Sequence, residues 1–343
     1  MARTHSHRGT QKPSLAIVGG ESLLGKEVRD LLGEGDLAIE VKLIASEADE
    51  GSGIIAAGRD EPVVIHSLKM ADLGSAQAVL LAGSAESSRA AQRQMEGVKP
   101  APAVIDLSGA LEELPASKLR APMVEKAADE PAGGIQVIAH PAAIAIAKLL
   151  LHLRSAGTIR RAVIEVFEPV SERGQAGIDE LQKQTVALLS FKPLPKEVFD
   201  TQVSFAMAPE YGSDSPHSLA GVEAKIDRHL ASLLAGMGHV PMPSLRVIHA
   251  PVFHGYSVSA WVEFEESIDV PKILEALAVD NIDVRSGGQE PPSNVGVAGQ
   301  GGITVGSIVA DRNQPRAYWF WMAVDNLRIV AESAVEVVRE VLE

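Results

Sequence analysis

The residues with the chemistry to form a site fall into three groups. The first is the turn Val18-Gly19-Gly20-Glu21-Ser22-Leu23-Leu24-Gly25. Turns of this kind let backbone N–H groups approach a pyrophosphate at a helix N-terminus. Gly19 and Gly25 keep the outer positions of a G-x-x-G-x-x-G spacing, Ser22 holds the middle one, and Glu21 adds an anionic side chain to the loop. The second group is the carboxylates Asp106 and Glu168, which stand at strand ends where they act as general bases or simply cap a turn. The third is imidazoles and hydroxyls. His140, His249 and His254 are ligand types, but their spacing fits no compact metal motif, so no metal is expected. Ser171, beside Arg173 and Gly174, is a nucleophile type with no base or orienter identifiable beside it. His254 and Tyr256 flank Gly255 as candidate acid and base. The chain has no cysteine, which excludes disulfides, thiolate metal sites and thiol-based covalent catalysis.

Alternating strands and helices must carry these groups. Ser14–Val18 is a short apolar strand running into the glycine turn, and Glu21–Leu32 has helical spacing stopped by Gly33 and Gly35. Strands are expected at Ile39–Ala45, Val63–Ile65, Ala78–Leu81 and Ala103–Leu107, which implies a mostly parallel sheet with helices on its faces. Leu111–Gly134 is rich in Pro, Ala and charge and is expected to be a loop-dominated crossing. Beyond it, helices are expected at Ala142–Leu153, Gly177–Leu189, Leu219–Leu234 and Pro271–Ala278. Strands are expected at Arg161–Val170, Ser244–Pro251, Ser257–Glu265 and Ala317–Val324, with those at Ser244 and Ser257 flanking a His-Gly-Tyr corner. All three tryptophans lie in the later strands. Asn326–Leu342 closes the chain as an amphipathic helix expected to pack on the first domain. Tyr318, Trp319 and Trp321 are aromatic on both faces of a strand, which suits a buried strand or a dimer surface.

At 343 residues and 46% hydrophobic the chain has length for two domains. Its 31 Lys and Arg against 45 Asp and Glu leave a net charge of -14, a field that repels phosphate backbones, so no nucleic-acid partner is expected. No apolar run reaches the ~18 residues of a membrane span. Residues 1–13 are polar and basic without the apolar stretch of a signal peptide, and are expected to be a disordered tail on a cytoplasmic protein.

Several segments in order resemble the aspartate-semialdehyde dehydrogenase family, from Leu15 to Leu342. They are AIVGGESLLG from Ala16; Val104-Ile105-Asp106-Leu107-Ser108-Gly109-Ala110; Ile138-Ala139-His140-Pro141-Ala142-Ala143; Phe167 to Leu181; Ala250-Pro251-Val252; and Val324-Asp325-Asn326-Leu327-Arg328. The phrases ending in Leu111 and Phe253 are similar to the divergent Usg-type branch. The resemblance implies a Rossmann-like NAD(P)-binding domain plus an α+β dimerisation domain. Their expected bounds are residues 14–138 with 325–343, and residues 139–324. It also implies a thiolate nucleophile in a motif like N-P-N-C-S/T, which passes an acyl group from aldehyde to phosphate with hydride transfer to NADP.

Position by position, this chain departs from that machinery. The thiolate position is Ala143, the orienting glutamine becomes Glu168, and the two substrate-gripping arginines become Glu112 and His249. The general-base histidine becomes Tyr256, with His254 two residues away. Glu47, Ala48 and Asp49 stand where an arginine would clamp the 2′-phosphate of NADP, and Val330 replaces a glycine near the nicotinamide. A nucleotide, if one binds, would rest on Gly19, Gly20, Ser22, Leu23, Leu24, Gly25, Ser46 and Asn326, with NAD favoured over NADP. The expected function is a non-catalytic binding or regulatory homodimer; the alternative is an NAD-dependent oxidoreductase with thiol-free chemistry using His254, Tyr256 or Glu168. A third reading is a heterodimer with an intact paralogue.

Overall fold

The computed structural model describes residues 12–46, 54–57, 62–125 and 134–342. Two compact units divide the chain. The first is Met1–Lys118 with Glu130–Val137 and Val335–Glu343; the second is Leu119–Asp129 with Ile138–Ala334.

The first unit grows from β1 (Ser14–Val18), whose Leu15, Ala16, Ile17 and Val18 are all buried, as a strand covered on both faces must be. α1 (Leu23–Glu34) starts two residues later than helical spacing suggests, because Ser22 is its N-cap and its side chain accepts from Gly25 N. There follow β2 (Glu40–Ile44), β3 (Ile54–Ala57), β4 (Pro62–His66), β5 (Ala78–Leu81), α2 (Ala85–Met95) and β6 (Ala103–Asp106). The expected loop at Leu111–Gly134 contains a strand, β7 (Ser117–Arg120), and β8 (Ile135–Ile138) comes next. A four-residue edge strand carrying Ser, Lys and Arg has too little apolar alternation to be seen in the sequence. The eight strands order as β3-β4-β2-β1-β5-β6-β8-β7, with β1 parallel to both β2 and β5. The glycine turn therefore leaves the sheet from a central strand, the position that doubly wound folds give to ligands.

The second unit centres on α3 (Pro141–Ala156), apolar on every side and almost wholly buried. It continues with β9 (Ile159–Glu168), α4 (Gly174–Leu189), α5 (Leu219–Leu234), β10 (Ser244–His249), β11 (Tyr256–Phe264), α6 (Val270–Leu277), β12 (Ile282–Val284), β13 (Ile303–Ala310), β14 (Ala317–Val324) and α7 (Asn326–Leu342). The last turns of α7 cluster with the first unit, where Val337 and Val338 are buried and Arg339 pairs with Asp36 at 3.2 Å. The sheet orders as β10-β9-β11-β14-β13-β12. β10 and β11, expected to flank one corner, are separated by β9, which is parallel to β10 and antiparallel to β11. β13 was not foreseen: a register shift between Gly306 and Val309 and a left-handed Ser307 break its alternation. Among the described residues no helix is long and apolar enough to cross a membrane.

Candidate functional site

Alternation along β9 sends Ile164, Val166 and Glu168 to the core face and Val163 and Glu165 outward. The same period along β11 sends Tyr256, Val258 and Ala260 inward. Register then does the rest. His249 pairs with Glu168 across β10 and β9, and Ser257 pairs with Phe167 across β11 and β9, which sets Tyr256 beside Glu168 one step further on. One row across the sheet end thus carries His249, Glu168 and Tyr256, each with 0% exposure.

A 3-10 turn at Val170–Arg173 follows Pro169, and Gly174 at φ 62, ψ -155 redirects the chain into α4, a conformation other residues do not adopt. That turn brings Arg173 back under the row. Arg173 Nη2 donates to Glu168 Oε1 at 2.6 Å, and Tyr211 OH donates to the same oxygen at 3.0 Å. Both partners converge on Oε1, so Glu168 Oε2 is buried without one; Arg173 Nε, His249 Nδ1 and the Tyr256 hydroxyl share that condition. His249 Nε2 lies 3.2 Å from Val203 O, and its ring packs on Phe199 and Tyr211.

Beside the row stands the start of α3. His140 is its N-cap, with Nδ1 accepting from Ala142 N at 3.3 Å, and its own N–H donates to His229 Nδ1 at 2.8 Å. An accepting Nδ1 places the ring proton on Nε2, which faces Glu172 Oε2 at 3.8 Å. Ala143 lies in the first turn of α3 at 0% exposure. Asn326 begins α7 with its amide fully engaged: Nδ2 donates to Ser171 Oγ at 3.1 Å and Glu172 Oε1 at 2.8 Å, and Oδ1 accepts from Gly255 N at 3.0 Å. Ser171 is thereby tied to an amide and not to a base.

Burial dominates the protonation of this cluster. It raises Glu168 to about 7 against the opposing charge of Arg173, and raises Glu172 against Arg173 and the Asn326 hydrogen bond. It holds His140 well below the usual imidazole value, helped by the charges of Lys225 and Arg173 and by the neighbouring His229, and lowers His249 as well. It pushes the Tyr256 phenol well above its ordinary value, with Glu172 and Glu168 adding to the rise. The result is a carboxyl, Glu168, that exchanges its proton near neutrality while it is held by the Arg173 guanidinium among a neutral imidazole and buried phenols, a set suited to moving protons.

The other candidate carboxylate has a structural occupation. Asp106 Oδ1 accepts from Ser108 N at 2.9 Å and Ser108 Oγ at 2.6 Å, while Oδ2 accepts from Leu111 N at 2.9 Å. His254 is half-buried outside the row and contributes its carbonyl to Asn294 Nδ2 at 3.3 Å. Glu112 sits half-buried in a turn. No group of three or more His, Asp or Glu able to hold a metal occurs among the described residues.

In the first unit, the glycine turn is packed to its limit. A Cβ on Gly19, at φ +82, would lie 2.4 Å from Gly83 N, and one on Gly25 would lie 2.1 Å from Gly19 O. Ser22 Oγ both caps α1 and donates to Ala82 O at 2.9 Å, stitching β1 to β5, and Leu23 and Leu24 form the half-buried first turn. Gly19 N and Gly20 N donate to Ile44 O. Glu21 Oε1 accepts from both Ser46 N, at 2.8 Å, and Ser46 Oγ. The close glycine backbone at the mouth of a central strand fits the shape of a pyrophosphate-binding turn, but the N–H groups of Gly19 and Gly20 are engaged by Ile44 O, which leaves the start of α1 at Leu23 and Leu24 to hold the group. Glu47, Ala48 and Asp49 lie outside the described residues.

Sequence alone singles out Glu168, His249 and Tyr256 one by one and does not join them. Arg173 as the partner of Glu168, and Tyr211, His229 and Glu172 as members of the cluster, emerge only from the structure. For Glu172 and Arg173 the available signal was a charged pair straight after a strand and Pro169; Tyr211 lies in irregular chain and had none.

Comparison with known proteins gives a consistent result. Residues 150–329 match the family model described as semialdehyde dehydrogenase, dimerisation domain. The chain is 28% identical to an aspartate-semialdehyde dehydrogenase of Rickettsia conorii, over 97% of this chain and 98% of that one. It is 28% identical to a USG-1 protein homolog of Pseudomonas aeruginosa, over 93% and 94%. The solved structure of a probable aspartate-semialdehyde dehydrogenase from Pseudomonas aeruginosa superposes with a TM-score of 0.84 at 27% identity, covering 96% of this chain and 98% of that one.

Proposed function

The chain belongs to the semialdehyde dehydrogenase family, and from that premise we propose that it is a non-catalytic member, a homodimeric binding or regulatory protein that keeps the fold without thiol chemistry. The observation that carries this reading is position 143. The family resemblance implies a thiolate at that position; this chain has a buried alanine in the first turn of α3 and no cysteine anywhere. A methyl group cannot attack an aldehyde, and no other thiol can replace it. Its neighbours support the reading: Arg173 is spent on Glu168, Asn326 on Ser171 and Glu172, and His140 on the helix it caps. The first unit retains a turn that fits a dinucleotide, with NAD favoured over NADP. Residues 14–138 with 325–343 are the nucleotide-binding domain in this reading, and residues 139–324 the dimerisation domain. A heterodimer with an intact paralogue is the variant of this reading that co-purification would reveal, and the cytoplasm is its expected place.

The test is phosphate-dependent turnover of aspartate semialdehyde with NAD or NADP, run beside a thermal-shift titration with both nucleotides in both redox states. No turnover is expected, while NAD at 100 times its dissociation constant should add about 2.7 kcal/mol, a shift on the order of 5 °C. Turnover by the unmodified protein would refute the proposal.

A second reading, NAD-dependent hydride transfer without a thiol, is favoured by one observation: Glu168 keeps a buried, unpartnered oxygen beside Tyr256 on a carboxyl that titrates near neutrality. In such chemistry Glu168 would be the group that exchanges the proton. Turnover of a screened hydroxy or carbonyl compound, lost in Glu168→Gln, would establish it.

A further inference from the structure

Glu21 is the acid in the glycine turn. In the sequence it adds an anion to the loop, and in the structure that anion has a specific engagement. Its Oε1 accepts from both the N–H and the hydroxyl of Ser46, two residues past the end of β2. In doubly wound sheets the end of the second strand is where an acidic side chain meets the hydroxyls of the adenosine ribose. Here the acid is delivered to that place from the first turn, and Ser46 anchors it there. Its second oxygen, Oε2, is buried without a hydrogen-bond partner. A carboxylate oxygen withdrawn from water and left unpaired is costly, so this one is poised for a donor that arrives with a ligand.

We propose that Glu21, held by Ser46, selects the dinucleotide: it accepts from the free vicinal hydroxyls of an unphosphorylated adenosine ribose and excludes a ribose carrying a 2′-phosphate. The diol offers O–H donors to an oxygen that lacks one. A 2′-phosphate offers no donor there and sets its negative charge against the carboxylate. The inference rests on the reading that the first unit retains a dinucleotide, and it names the residue responsible for the choice.

The experiment is calorimetric titration of nucleotide-free protein with NAD and with NADP, for the unmodified chain, Glu21→Gln and Ser46→Ala. Binding, and not activity, is the readout. The unmodified protein should bind NAD at least about tenfold more tightly than NADP. Glu21→Gln keeps the shape and removes the charge, and should bring the two within about threefold, chiefly by tightening NADP. Ser46→Ala keeps the charge and loses one anchoring donor, and should weaken NAD while NADP stays excluded. Equal or tighter binding of NADP by the unmodified protein overturns the proposal. So does an unchanged NAD-to-NADP ratio in Glu21→Gln, or unchanged NAD affinity in Ser46→Ala; in those cases nucleotide binding itself survives and only the role of Glu21 falls. Binding of neither nucleotide by the unmodified protein overturns both.

Discussion

Replacing Glu168 by glutamine should change the pH dependence of stability more than its value in acid. Glu168 is fully buried, Arg173 and Tyr211 both satisfy Oε1, and burial raises the carboxyl to about 7 from an ordinary value of 4.5. A group that binds its proton more tightly folded than unfolded lends stability that is fully present below the unfolded value. That contribution is lost as pH rises through the folded one. The window here runs from about pH 4.5 to somewhat above 7, and at ~1.4 kcal/mol per tenfold it spans about 3 kcal/mol. Glutamine is close in shape to the protonated acid and cannot ionise, so the two proteins should lie within about 1 kcal/mol at pH 5. By pH 8 the difference should have moved by about 3 kcal/mol in favour of Glu168→Gln. The assay is urea unfolding at several pH values, followed by tryptophan fluorescence. Trp261, Trp319 and Trp321 all lie in β11 and β14, so the signal reports the second unit. A difference that is flat with pH, or that moves against the variant, would show that the Arg173 charge outweighs burial and that Glu168 is ionised throughout.

Other substitutions test other parts of the argument. Ala143→Cys restores a thiol to the first turn of α3. On the reading proposed above, in which Glu112 and His249 stand where the family has substrate-gripping arginines, it should still give no turnover of aspartate semialdehyde in a nucleotide-absorbance assay; measurable activity would refute that reading of the pocket. Asn326→Ala should lower stability by about 2–4 kcal/mol in urea, since Ser171, Glu172 and the Gly255 N–H lose a buried partner together; a loss below about 1 kcal/mol would mean that water replaces the amide. Ser22→Ala removes the cap of α1 and the link to Ala82 O, and should cost about 1–2 kcal/mol in unfolding followed by circular dichroism.

Much of the framework was legible because local rules suffice for it. β1 and its glycine turn, α5, β14 and α7 each declare themselves by a continuous apolar run or by helical spacing, and Ser218 caps α5 at its expected start. The site was legible only in pieces. Alternation along β9 puts Glu168 on the buried face, but it does not say which residue of which strand stands beside it. His249 and Tyr256 become its neighbours through register between segments more than eighty residues apart in the chain. Tyr211 enters from irregular chain, where no period exists to read. β13 escaped because a bulge interrupts the one pattern that could have revealed it. The cross-link between Glu21 and Ser46 escaped because a side chain's reach is decided by rotamer and loop shape together.

The division of the chain has a consequence for its birth. The first unit is begun by the opening strands but completed by β8 and by the last turns of α7, where Val337 and Val338 are buried. During synthesis, every residue of the second unit therefore leaves the ribosome before the first has all its parts. The second unit, interrupted far less, can fold while its predecessor still waits. The opening strands are thus among the last to reach their final packing, with the apolar surface reserved for Val337 and Val338 left uncovered in the interval. Slow translation of the last turns of α7 would lengthen that exposure, and chaperone capture of nascent chains should concentrate on the first unit.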